Sequence, residues 1–254
     1  MRDQYMLTPY FLDDRLFGLD RLARSEWQTN TPELRPGDKQ ARMVSLYQPL
    51  AEFISESLQE GDRPISVAGD CCTTIGVMAG LQQAGLSPTL IWFDAHGDFN
   101  NWETTPSGFL GGMPLAMIAG IGEQTMPQGV GMQPVPAANI ILTDGRDLDP
   151  GERKLVEESG ITHLSDITEM LDYPLPDGPF YIHFDTDIID PKEVPAMNYP
   201  APGGPSSDAV RRVFRHLANT GNVAAVSMSA WNPDLDENGR SRIICMDLLK
   251  ELLS

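Results

Sequence analysis

Residues 89–98 read Thr-Leu-Ile-Trp-Phe-Asp-Ala-His-Gly-Asp, and the predicted fold depends on this stretch more than on any other. The residues before Asp94 are β-branched or apolar without alternation, which is typical of a strand buried on both faces. Asp94, His96 and Asp98 then follow at alternate positions. In an extended chain such side chains share one face, about 7 Å from one to the next. The stretch predicts a buried strand with two carboxylates and an imidazole at its carboxyl end.

A second pair of aspartates has the same spacing. Asp185 and Asp187 follow the apolar run Phe180-Tyr-Ile-His-Phe184. The motif at Asp94, taken alone, is compatible with a solvated loop whose histidine only makes a hydrogen bond. Carboxylates from two strand ends argue against that, because like charges close together in a low dielectric repel or take up protons. A divalent cation, or a pair of cations, would hold them together, so we expect a metal site.

Apolar runs alternate with helical spacing along most of the chain. Beside the run at 89–93, strands are predicted at 65–68, 139–142, 180–184 and 223–228, and helices at 43–58, 73–83, 113–121, 152–159, 207–219 and 242–253. The residues before 43 read as an irregular opening. Strands without a polar face need helices on both sides, so the predicted fold class is α/β, a three-layer α/β/α domain with a mainly parallel sheet. Ligands bind such sheets beyond the carboxyl ends of the strands, where Asp70, Asp94, Asp144 and Asp185 fall.

The composition favours one domain over residues 1–254 and makes several partners improbable. With 254 residues, 41% of them hydrophobic, the chain can bury a substantial core. Its 36 acidic and 18 basic residues give a formal charge of −18, which repels nucleic acid and anionic membrane surfaces. The N-terminus lacks the apolar stretch of a secretory signal, and no apolar run approaches the length of a membrane span. Cysteines at 71, 72 and 245 are poorly spaced for disulfides, so we expect a cytoplasmic protein.

Four motifs together resemble those of the arginase and agmatinase family, the ureohydrolases. They are Asp94-Ala-His-Gly-Asp98, Phe184-Asp-Thr-Asp-Ile-Ile-Asp-Pro191, Gly145-Arg-Asp-Leu-Asp-Pro-Gly-Glu152 and Ser107-Gly-Phe-Leu-Gly-Gly-Met-Pro-Leu115. The resemblance runs from about residue 65 to the C-terminus. It implies an arginase-like fold, two manganese ions, hydrolysis of a C–N bond in a small molecule, and a homo-oligomer.

The resemblance also implies the metal ligands, by motif position. The implied set is Asp94 and Asp185 shared between both metals, Asp98 on the first metal, and His96 and Asp187 on the second. The first metal's remaining ligand is a histidine in the family, and Cys71 stands at that position here. A thiolate favours zinc, nickel or cobalt over manganese, so the resemblance leaves the metal open among these. Alternatively, Cys71 is a small buried apolar residue and the first site is vacant.

Three positions depart from the family on the substrate side. Gly111 replaces a histidine that passes a proton to the leaving amine, Tyr199 replaces a threonine near the guanidinium, and Ala230 replaces the glutamate that pairs with it. A buried cation without a paired carboxylate is costly, so arginine and agmatine are expected to be poor substrates. The proton for the leaving nitrogen would have to come from Tyr199, Asp98 or a water molecule.

Other polar residues match positions that the family uses near an amino-acid head group. They are Asn100, Ser107 and Asp149, whose alternative role is loop capping. His183 shares a strand face with Asp185, and we expect it to support a ligand carboxylate. The predicted function is metal-dependent hydrolysis of a linear C–N bond of amidine, amide or urea type. The alternatives are a non-catalytic metal-bound relative that senses a small molecule or serves assembly, and a one-metal amidohydrolase of deacetylase type.

Overall fold

The computed structural model describes residues 1–229 and 231–254, and its central feature is an eight-stranded sheet. The strands are β1 Asp3–Thr8, β4 Gln28–Thr29, β5 Arg63–Ala68, β6 Thr89–Asp94, β7 Ile140–Asp144, β8 Thr162–Leu164, β9 Phe180–Asp185 and β10 Val223–Ser229. Their order across the sheet is β4-β1-β5-β10-β9-β6-β7-β8, and all neighbours pair in parallel. A separate hairpin joins β2 Tyr10–Phe11 to β3 Asp14–Arg15.

Helices cover both faces of the sheet. They are α1 Lys39–Gln59, α2 Thr74–Gln83, α3 Pro114–Ile118, α4 Thr125–Gly129, α5 Pro150–Ser159, α6 Ser207–Ala218 and α7 Arg240–Leu252. One apolar core lies under α1 to α5, and a second lies under α6 and α7. The central strands are buried on both faces, as their uninterrupted apolar runs predicted. The three-layer α/β/α fold with a mainly parallel sheet is confirmed.

Two expectations about elements were wrong, and one strand was missed. The opening is not irregular, because β1 pairs with β5 over its whole length and lies inside the sheet. Only Met6 to Thr8 of β1 are buried, so its apolar signal is short. The short edge strand β8 was not predicted at all. The helix expected to reach residue 121 ends at Ile118, and Gly120 follows with φ of +80°, a backbone conformation that stops a helix.

The order of the strands places the site. β10 and β9 lie between β5 and β6, so the chain crosses two strands between β5 and β6 and opens a crevice at the carboxyl edge. Such a switch point is where ligands bind in open α/β sheets. Within residues 1–229 and 231–254, no helix has both the length and the apolar character needed to cross a membrane.

Candidate metal centre

Four neighbouring strands deliver polar side chains to this crevice. Asp94 ends β6, Asp185 ends β9, Ser229 ends β10, and Cys71 follows shortly after β5. All four are buried, with Asp94 only 1% and Asp185 only 2% exposed. Buried carboxylates at this density need compensating charge or hydrogen bonds.

The two aspartate motifs fold locally in the same way. Asp94 Oδ1 accepts the backbone N–H of His96 at 2.7 Å, and Asp185 Oδ1 accepts the backbone N–H of Asp187 at 2.8 Å. In each motif an aspartate therefore folds the chain back by bonding the N–H two residues ahead. This shared turn brings the second side chain of each motif toward the first. It explains in physical terms why the sequence spacing is the same in both.

Ligand-type atoms converge in two groups that share Asp94. In the first, atoms of Cys71, Asp94, His183 and Asp185 all lie within 4.8 Å of one another. In the second, atoms of Asp94, His96 and Asp187 do so. The Cys71 Sγ–Asp185 Oδ2 distance is 2.7 Å, and the His96 Nδ1–Asp187 Oδ2 distance is 3.0 Å. These residues could hold two cations side by side, with Asp94 between them.

Asp98 lies at the crevice with a different geometry from the extended one expected. The strand ends at Asp94, and Asp98 has φ of +48°, so alternation along an extended chain does not orient its side chain. The residue is 6% exposed and lines the cavity, but it belongs to neither close group. Its Oδ2 atom has no hydrogen-bond partner among the described residues. The carboxylate is buried and one of its oxygens is available.

Electrostatics at the centre call for positive charge. Burial and the charge of Asp187 raise the pKa of Asp94 to about 7, and burial with neighbouring carboxylates raises the pKa of Asp185 well above its usual range. Burial lowers the pKa of His96, but hydrogen bonds to Asp187 and Asp94 outweigh this and raise it to about 12. Without a cation, these side chains therefore tend to stay protonated, which reduces the negative charge of the site. A divalent cation would supply the same charge.

The donor set fits a divalent metal on these grounds. Carboxylate oxygens and imidazole nitrogens are ordinary ligands of manganese and zinc, and a thiol next to them shifts the preference toward zinc or cobalt. Asp98 Oδ2 and His183 Nε2 are buried and unpaired in the described part of the chain, as polar atoms are when a ligand completes their coordination. Burial and nearby Asp185 raise the pKa of Cys71 well above its usual range, so a bound cation is needed to keep its thiolate.

Above the two groups lies an open cavity of about 450 Å³. Asn100, Ser107, Asp149 and Tyr199, the substrate-side residues predicted from the sequence, all line it. Asn100 Nδ2 donates to Asp149 Oδ2 at 3.0 Å, so these two residues form a fixed polar pair. Tyr199 is 49% exposed, which places it at the mouth.

The space next to Gly111 is filled by an aromatic ring. A Cβ atom at Gly111 would come within 2.4 Å of the Phe109 ring, so a larger residue there would displace it. Phe109 also packs against Phe11 at 6.2 Å and Tyr199 at 5.2 Å between ring centroids. We call Phe11, Phe109 and Tyr199 the aromatic wall. Ala230, the third departure noted in the sequence, lies outside the described residues.

Sequence analysis missed several side chains that hydrogen-bond to the site residues or to the loops that carry them. Trp92 Nε1 donates to Asp94 Oδ2 at 3.0 Å, and alternation along β6 could have shown that the two side chains share a face. Glu152 accepts the backbone N–H groups of Phe99 and Asp149, with no local signal for the first of these contacts. Asp70, which falls at a strand end, accepts the N–H groups of Leu12 and Cys72 and so serves as a cap.

Comparison with known proteins agrees with these features. The sequence model of the arginase family matches residues 28–254. The arginase of Bacillus subtilis (strain 168) is 32% identical over 216 residues, which cover 80% of this chain and 73% of that protein. A crystal structure of arginase from Bacillus subtilis subsp. subtilis str. 168 aligns with a TM-score of 0.86 at 25% identity, over 100% of this chain and 99% of that one.

The fold also matches a formimidoylglutamase from Bacillus subtilis subsp. subtilis str. 168, with a TM-score of 0.75 at 16% identity over 100% of this chain and 86% of that one. At that identity the likeness concerns the fold alone. The sequence match and the shared fold agree with the paired aspartate motifs at the carboxyl edge of the sheet. The chain belongs to the arginase family.

Proposed function

We propose that this chain is a metal-dependent hydrolase of a linear C–N bond in a small molecule, of amidine, amide or urea type, and that it is not an ordinary arginase or agmatinase. The observation that carries the proposal is the pair of ligand groups sharing Asp94 at the floor of an open cavity. Bound divalent cations supply an activated water at neutral pH and polarise the scissile group. An open cavity over the ligand groups favours catalysis over a purely structural or sensing role.

The implied ligands are those placed by the resemblance: Cys71, Asp94, His96, Asp98, Asp185 and Asp187. Asp98 also suits proton transfer, because its Oδ2 atom faces no partner among the described residues and the side chain lines the cavity. Burial and the charge of Asp94 raise the pKa of Asp98 well above its usual range, which makes it a stronger base when ionised. Tyr199, at the mouth, is our candidate for protonating the leaving nitrogen.

The carboxylates that line the cavity outside the ligand set are already paired or exposed to solvent, which supports a neutral substrate. Both oxygens of Glu152 accept backbone N–H groups, and both oxygens of Asp70 do as well. Asp149 is held by Asn100, and Asp147 is 70% exposed, where solvent screens its charge. Outside the implied ligand set, no carboxylate among the described residues that line the cavity is both buried and unpaired, so none is available to select a guanidinium. The aromatic wall suits a flat or apolar substituent instead.

The test is release of urea from arginine and agmatine by protein loaded in turn with manganese, zinc, cobalt and nickel. We expect turnover of these substrates to be far below that of neutral amides, amidines or ureas in the same assay. Asp94→Asn is the control for metal-dependent chemistry. Turnover of arginine or agmatine near the middle of the usual enzyme range, about 10 per second, would contradict the substrate proposal. If the metal-loaded wild-type protein hydrolysed none of these substrates, the non-catalytic alternative would be favoured.

A further inference from the structure

A buried polar row crosses the sheet directly beneath the ligand groups. His183 on β9 pairs in register with Ser227 on β10 and with Trp92 on β6. The exposures of His183 and Trp92 are 0% and that of Ser227 is 2%. Ser66 on β5 pairs in register with Ser227 and is also buried. Polar side chains in this row need a reason, because buried polar groups destabilise a fold unless they are paired.

Only one nitrogen of the His183 ring has a partner in the described structure. Nδ1 lies 2.8 Å from Ser227 Oγ, and Ser227 Oγ lies 2.7 Å from the Tyr181 hydroxyl. Nε2 has no hydrogen-bond partner among the described residues. When Nδ1 donates its proton to Ser227, Nε2 carries the free lone pair, which is the form of imidazole that binds a metal.

The His183 imidazole belongs to the first ligand group, and Nε2 is its unpaired nitrogen among the described residues. His183 Nε2 or its ring partner lies within 4.8 Å of ligand atoms of Cys71, Asp94 and Asp185, and Nδ1 is already bonded to Ser227. The His183 ring also packs on Trp92 with ring centroids 4.0 Å apart, which restricts its rotation. The contact with Ser227 and the packing on Trp92 hold the imidazole, and Nε2 is the nitrogen left for a further ligand.

We propose that His183 Nε2 is a direct ligand of the first cation, together with Cys71, Asp94 and Asp185, and that Ser227 is the positioning residue that selects its tautomer. The family resemblance does not assign His183 as a ligand. The inference rests on the proposed function only in that both require a divalent cation at this centre.

The proposed set has a consequence for metal choice. With Cys71 and His183 both as ligands, the first position would offer one thiolate and one imidazole beside its carboxylates, and sulfur and nitrogen ligands favour zinc or cobalt. The second group, with two carboxylates and His96, lacks sulfur and is harder. The two positions are therefore expected to differ in preference, with zinc or cobalt held more tightly at the position beside Cys71 and His183.

The first test uses the wild-type chain with 15N-labelled histidine and follows ring-nitrogen resonances by NMR while zinc is added to chelator-treated protein. We expect the His183 Nε2 resonance to move to the position of a metal-bound nitrogen while Nδ1 stays protonated. His163 is the internal control, because its Nε2 lies 2.8 Å from the Asp144 carbonyl and must carry its own proton. The proposal would be overturned if, with zinc bound, His183 Nε2 carried a proton or showed no shift toward the metal-bound position.

The second test measures cobalt affinity by chelator competition in His183→Asn and Ser227→Ala. Partners outside the ligand set typically change metal affinity by about 10- to 100-fold, so we expect a loss in that range for Ser227→Ala and a larger loss for His183→Asn. Unchanged affinity and an unchanged cobalt spectrum in His183→Asn would refute direct ligation while leaving the proposed function intact. Failure of the wild-type chain to bind any of zinc, cobalt, nickel and manganese would overturn both, whereas binding of manganese alone would overturn only the role of His183. The NMR measurement stands if a variant fails to fold.

Discussion

At the residue scale, Asp94 is the residue that the two ligand groups share. Asp94→Asn keeps the side-chain size but removes a charge, so we expect bound metal to fall and the stabilisation of the folded state by metal to fall with it. The measurement is metal content by mass spectrometry and thermal unfolding with and without chelator. Asp185→Asn should behave alike.

The matched control is Asp208→Asn, because the Asp208 side chain is 85% exposed on α6 and belongs to neither ligand group. It should leave metal content unchanged. Equal metal content in Asp94→Asn, Asp185→Asn and the wild type would contradict the assignment of the centre.

The adjacent cysteines allow a sharper comparison. Cys71 Sγ contacts Asp185, whereas Cys72 Sγ lies 3.8 Å from the Leu110 carbonyl and belongs to neither ligand group. With cobalt bound, a thiolate ligand gives an intense near-ultraviolet charge-transfer band. We expect Cys71→Ser to abolish this band and Cys72→Ser to retain it. The reverse pattern would reassign the thiolate ligand.

At the scale of the elements, the Glu152 side chain links α5 to the loop that follows β6, residues 95–100. Glu152 accepts the N–H of Asp149 at 3.1 Å, which caps the helix, and the N–H of Phe99 at 2.8 Å, next to Asp98. Glu152→Ala leaves both donors without this acceptor, so we expect unfolding free energy to fall by about 2 kcal/mol or more. Urea denaturation measures this, and metal affinity should fall as well because the loop of Asp98 loosens.

Glu157→Ala is the control on the same helix, since Glu157 is exposed. An exposed surface substitution typically changes stability by less than about 0.5 kcal/mol. If the two alanine variants unfolded at the same urea concentration, Glu152 would have no such linking role.

At the scale of the whole molecule, the metal-free protein should lose stability as pH rises. Burial and Asp187 raise the pKa of Asp94 from 3.8 to about 7, so its contribution is complete below 3.8 and is lost as pH rises through 7. Despite burial, hydrogen bonds to Asp187 and Asp94 raise the pKa of His96 from 6.5 to about 12, so its contribution also declines above 6.5. Both shifts lower stability as pH rises from 5 to 8. Burial lowers the pKa of His183 to about 3, and this shift opposes them only below about pH 6.5.

Metal binding should reverse this trend, because cations bind the deprotonated ligands and compete with protons. We expect the melting temperature of chelated protein to fall from pH 5 to pH 8, and the gap between metal-loaded and chelated protein to widen. Differential scanning calorimetry at constant ionic strength measures both. A melting temperature of chelated protein that rises over this range would show that other groups dominate its pH dependence.

Much of the fold followed from local pattern. Apolar runs such as 89–93 and 180–184 are buried strands, and the residues directly after them line the crevice, because parallel strands end at one edge. β1 escaped prediction because its place depends on pairing with β5, some 60 residues away, and not on its own short apolar segment. Long-range pairing leaves little trace in a local window.

The paired aspartate motifs, the −18 charge and the family could be read from the residues alone, since each depends on residue type and spacing along the chain. The grouping of His183 with Cys71, Asp94 and Asp185, and the filling of the space beside Gly111 by Phe109, could not. These depend on strand order and ring orientation, which bring together side chains from distant segments. Local spacing sets which side chains a strand end offers, and the packing of strands against one another sets which of them meet.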